Sequence, residues 1–138
     1  MTQTMLVAVA LGCAALAGPA AAHHGPSELG TVRFTQPVSA GGTVLQPGTY
    51  EVRLTGEHLM PLPGQSAEAE QHVEFVSNGR VVAKEVATVV PVSTPAVVGT
   101  SGTPRTIGVV QMLKGNEFVR VSFTRGSERF LIHLAADR

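Results

Sequence analysis

The sequence predicts an all-β protein, a single antiparallel β-sandwich or small open barrel of about seven to eight strands, preceded by a signal peptide. Three observations predict it. Nearly every apolar segment after residue 30 alternates with period two and is rich in Val, Thr, Phe and Ile. Gly, Pro, Asn and Ser recur between these segments at short intervals, where strands must turn. No stretch beyond the leader reads as more than one helical turn.

The leader is built for export. Residues 6–16 are apolar apart from Gly12, Gly18-Pro19 would end a helix, and Ala20-Ala21-Ala22 place small side chains where signal peptidase reads. Cleavage after Ala22 divides the chain into a signal peptide, 1–22, and a β-domain, 23–138, and places the product in the periplasm or outside the cell. The apolar run is shorter than the roughly 20 residues that cross a bilayer. Met1 to Met5 carry no Lys or Arg, a departure consistent with a start upstream of Met1. Leu11-Gly12-Cys13 offers an alternative lipoprotein site, although Ala10 stands where a larger aliphatic residue is expected.

All ten acidic and all ten basic residues fall in 23–138, a length that suits one domain burying about two thirds of its unfolded surface. Zero net charge with interspersed signs gives no electrostatic footprint for nucleic acid or an anionic membrane. The one cysteine, Cys13, lies in the leader, so the domain has no disulfide and no thiol chemistry.

The elements follow in order. Residues 31–38 form a first strand, an edge candidate because Pro37 cannot donate to a ladder. Ala40-Gly41-Gly42 turns the chain into 43–45, Gln46-Pro47-Gly48 interrupts, and 49–54 alternates with Tyr50, Val52 and Leu54 on one face. Pro47 presets the turn and Gly48 permits its positive φ, so Tyr50 opens its strand inward, as in a tyrosine corner whose hydroxyl bonds backbone a few residues upstream. Residues 56–71 lose periodicity and read as a loop with one turn capped by Ser66. Asn78-Gly79, between 72–77 and 80–90, marks a type I′ hairpin. A plain two-residue register there sets Phe75 opposite Val82 and Val73 opposite Lys84, giving Val73, Phe75, Val82 and Val86 one face. Residues 91–104 form a second long loop. Strands 106–113, 118–124 and 128–134 close the domain as a meander with turns at Gly115-Asn116 and Arg125-Gly126, and leave Arg120, Arg129 and His133 outward.

Candidate chemistry is sparse. Cleavage would put His23 and His24 beside a free amine, a nitrogen set that copper(II) favours, as in copper sites built on an N-terminal histidine. His58 and Met60, two residues apart, offer imidazole and thioether to either oxidation state of copper. His72 and His133 lack metal-ligand spacing. Glu51, Glu74 and Glu85 occupy alternate strand positions of a solvated face, and no G-x-S-x-G elbow or Gly-rich phosphate loop is present, so no catalytic set is expected. Loops 56–71 and 91–104 are the expected contact surfaces for a protein or glycan ligand.

Residues 34–38, 41–45 and 47–52, the Asn78-Gly79 hairpin with Val81-Val82-Ala83, and the late strand 126–134 resemble small secreted bacterial β-sandwich proteins of unknown function. Many of these carry a strand-opening leucine, proline, glycine, tyrosine turn, matched here by Leu45-Gln46-Pro47-Gly48-Thr49-Tyr50. The same turn occurs in fibronectin-type and carboxypeptidase-regulatory-type sandwich modules. The resemblance implies a sandwich fold and no active site. The expectation is an exported, non-catalytic binding or structural module without cofactor, with a periplasmic copper-binding protein as the alternative and a secreted enzyme third.

Overall fold

A computed structural model describes residues 26–93 and 106–137. They form nine strands: β1 (Ser27–Phe34), β2 (Val38–Ala40), β3 (Thr43–Leu45), β4 (Gly48–His58), β5 (Glu70–Ser77), β6 (Arg80–Pro91), β7 (Val109–Leu113), β8 (Phe118–Arg125) and β9 (Glu128–Ala136). No helix among them is long and apolar enough to cross a membrane.

One antiparallel sheet carries the fold, in the order β1-β4-β5-β6-β9, with β8 and then β7 continuing beyond β9. β9 is the hinge of this arrangement. It pairs with β8 along its length, while its other edge is shared by β6 at residues 128–132 and β2 at residues 135–136. The sheet curls until β1 meets the chain entering β7. There Thr31 donates its N–H to the Thr106 carbonyl at 2.9 Å, and Gly108 donates to the Thr31 carbonyl at 2.7 Å. Of the two expected arrangements, the small open barrel describes this sheet.

Alternation fills the inside. Val32 of β1, Val52 of β4, Phe75 of β5, Phe123 of β8 and Ile132 of β9 are among the fully enclosed side chains, each contributing about 1.5–3 kcal/mol through burial. Phe34 packs tilted against Tyr50 and Phe75, with ring centroids 5.8 and 6.1 Å away. Arg125 lies over the Phe130 ring and donates to Ser27 Oγ at 3.0 Å, a tie between β8 and β1.

Four expectations are corrected in detail. The first strand starts earlier and ends at Phe34. Residues 35–37 then break the chain direction, and Val38–Ala40 is a separate strand on β9, with the Pro37 carbonyl accepting from Asp137 N–H at 3.1 Å. β4 runs on through Gly56 to His58, where a register irregularity keeps it paired with Gln71 of β5, so the first long loop is 59–69. Within that loop the Ser66 hydroxyl accepts from Glu68 N–H, closing one turn as expected.

The third correction concerns the hairpin. Asn78 and Gly79 take the positive φ of 50° and 75° that the type I′ turn needs, and Ser77 faces Arg80. A bulge follows, because Val76 faces Val81 but Phe75 faces Ala83, leaving Val82 as the extra residue. One inserted residue reverses every face beyond it. Ala83 and Ala87 therefore point into the core beneath Phe75, and Val82 and Val86 do not share its face. Lastly, the β8–β9 turn is residues 126–127 rather than 125–126, so Arg125 faces Glu128.

Candidate functional site

The outer face of β6, β9, β8 and β7 carries a groove of about 440 Å3. Its floor is the alternate residues that the core does not use. Arg120, Ser122 and Thr124 project from β8, and Arg129 and Leu131 from β9. Val109 and Gln111 of β7 form one wall and Val90 of β6 the other, with Thr106 and Ile107 at the end where the chain enters β7. The register fixes their order: Gln111 beside Arg120, Val109 beside Ser122 beside Leu131, and Thr124 beside Arg129 beside Val90.

The two arginines stand at opposite ends. Arg129 is level with Thr124, four residues along β8 from Arg120, a backbone separation of about 13 Å at strand rise. Arg120 is held at its end by a cross-strand bond in which its Nε donates to His133 Nε2 at 2.9 Å. That bond engages Nε of Arg120, and Arg120 also lines the groove. Among the described residues no carboxylate lines the groove, and Arg129 has no ion-pair partner.

The other outer face is neutralised within itself. Arg53 donates through Nε to Glu51, and Glu28 and Glu74 stand beside it. That hydrogen bond, with the neighbouring negative charges, raises the Arg53 pKa above its ordinary value. Lys84 pairs with Glu74 at 3.2 Å. A molecule of zero net charge thus presents one balanced face and one cationic groove.

The groove has the means to hold an anion or a polyhydroxylated chain: guanidinium donors, three hydroxyls, an amide and short apolar patches. Neither Ser122 nor Thr124 makes a hydrogen bond to an imidazole or carboxylate among the described residues.

The residues singled out from sequence fall elsewhere. His23 and His24 lie outside the described residues, as does most of the second loop, 94–104. His58 belongs to the end of β4, not to a loop, and Met60 follows in irregular chain with 92% of its surface exposed. His72 is on the outer face of β5, its carbonyl accepting from Thr55 Oγ1 at 3.3 Å. Among the described residues, no three His, Cys, Asp or Glu side chains gather as a metal site would require. Sequence alternation already turned Arg120, Arg129 and His133 outward. Ser122, Thr124 and Gln111 carried a weaker signal, the run Arg-x-Ser-x-Thr on β8 without an acidic residue between Phe118 and Arg125.

Compared with known proteins, the chain matches no family model, no curated protein sequence and no solved structure.

Proposed function

We propose that the protein is an exported, non-catalytic binding module that takes its ligand in the groove between β6 and β7. The observation that carries this reading is the groove itself, with donors at both ends and hydroxyls between them, on strands fixed by a packed core. Rigid strands hold such a constellation better than loops do. Val90, one residue before the end of β6, and Thr106, where the described chain resumes, both line the groove.

Export rests on the apolar run and Ala20-Ala21-Ala22. Intact-mass analysis of the full chain secreted by a bacterial host is expected to find His23 at the N-terminus, and a product retaining Met1 would reject the cleavage.

Binding is tested by amide chemical-shift mapping against panels of oligosaccharides and peptides. A bound ligand is expected to move the signals of Ser122, Thr124 and Arg129. Ligands that move only 59–69 would place the site on the first loop instead.

A further inference from the structure

Resting on that reading of the groove, we propose that its ligand is an acidic polysaccharide, a chain of uronate sugars whose carboxylates engage Arg120 and Arg129. Charge comes first. Two guanidiniums without a carboxylate among the lining residues favour a ligand that brings its own negative charge, and hydrogen bonds between guanidinium and carboxylate are the strong ones.

Spacing favours a ligand that carries more than one negative group. The bond to His133 keeps Arg120 at its own end, while Arg129 sits level with Thr124. A polymer with repeated carboxylates can engage both at once, each from its own end of the groove. Between the arginines lie Ser122 and Thr124, with Gln111 alongside, side chains that exchange hydrogen bonds with sugar hydroxyls.

An extended acidic peptide fits less well. Peptides that bind sheets add a strand at an edge and take their affinity from main-chain hydrogen bonds. The groove lies on the face of strands whose backbone is already paired across β6, β9, β8 and β7, so it offers side chains alone. Among the described residues no aromatic ring lines it as a platform for a neutral sugar either.

The test titrates galacturonate hexamer, its fully methyl-esterified form and hexaglutamate into the native protein, by calorimetry with amide shift mapping. The galacturonate hexamer is expected to bind, to shift Ser122 and Thr124, and to weaken as salt rises. Arg120→Gln and Arg129→Gln are each expected to reduce its affinity by about tenfold, the loss of one charge-assisted hydrogen bond, with unchanged thermal melting. The uncharged ester is expected to lose at least as much.

No binding of the galacturonate hexamer, or equal binding of its ester, overturns the proposal. Stronger binding of hexaglutamate overturns it in favour of an acidic peptide. In the last two cases shifts in Ser122 and Thr124 leave the groove as the binding site, whereas an absence of groove shifts with every probe and with the wider panels removes the binding-module reading as well.

Discussion

Tyr50 shows how much one residue can settle locally. Its ring packs against Phe34 inside the barrel, and its hydroxyl donates to the Gln46 carbonyl at 2.7 Å, four residues back across Pro47 and Gly48. The contact was legible because it spans so little chain, although Gly48 does not take the positive φ expected of it: a turn preset by Pro47 leaves an inward tyrosine few other acceptors. Tyr50→Phe keeps the ring and deletes the bond, so it is expected to lower stability by about 1 kcal/mol in urea denaturation, and an unchanged midpoint would show the bond contributes nothing. The Arg120–His133 pair lies at the other extreme. With the β8–β9 turn at residues 125–126, Arg120 would face Leu131. With the observed turn at 126–127 it faces His133. A shift of one residue in a turn decides whether the groove's first arginine is held or loose.

The same sensitivity governs whole elements. Asn78-Gly79 marked the β5–β6 hairpin and its turn type correctly, yet the faces of β6 were not legible, because Val81-Val82-Ala83 is apolar throughout and gives no alternation to locate a bulge. Packing decides it. Phe75 occupies the volume opposite β6, and a bulge at Val82 brings the small Ala83 and Ala87 against the core. Ala87 has no exposed surface, whereas Val82 is 36% exposed. Val82→Lys is therefore expected to change stability by no more than about 0.5 kcal/mol. Ala87→Asp, which buries a carboxylate without a partner, is expected to prevent folding or to cost more than about 3 kcal/mol. A hairpin without the bulge would reverse that order, which thermal melts of the two variants distinguish.

At the scale of the molecule, strand order turns alternation into a groove and a packed core. Arg120, Arg129, Val90 and Gln111 come from four strands, and only the order β6-β9-β8-β7 places them around one groove. Nothing local in the sequence encodes that order, so their outward direction was readable and their neighbourhood was not. Closure depends on a seam equally hidden from local pattern. β1 approaches the chain entering β7 so closely that a Cβ on Gly30 would lie 1.9 Å from the Thr106 carbonyl oxygen and 3.1 Å from the Phe123 ring. The nearer obstacle is backbone, which cannot rotate away as a side chain can. A side chain at Gly30 must therefore push the seam apart, breaking the hydrogen bonds of Thr31 with Thr106 and Gly108 and uncovering Phe123. Gly30→Val is accordingly expected to destabilise the protein by about 2 kcal/mol or more and to raise the fluorescence of a dye that binds exposed apolar surface. The β4–β5–β6 ladders lie away from the seam and should keep their slow amide exchange, so local opening would appear as fast exchange at Thr31 and Gly108 alone. If Gly30→Val melted like the parent and bound no dye, the close approach of β1 to Thr106 would not hold in solution. The groove would then lose the support of Thr106 and Ile107 at its end.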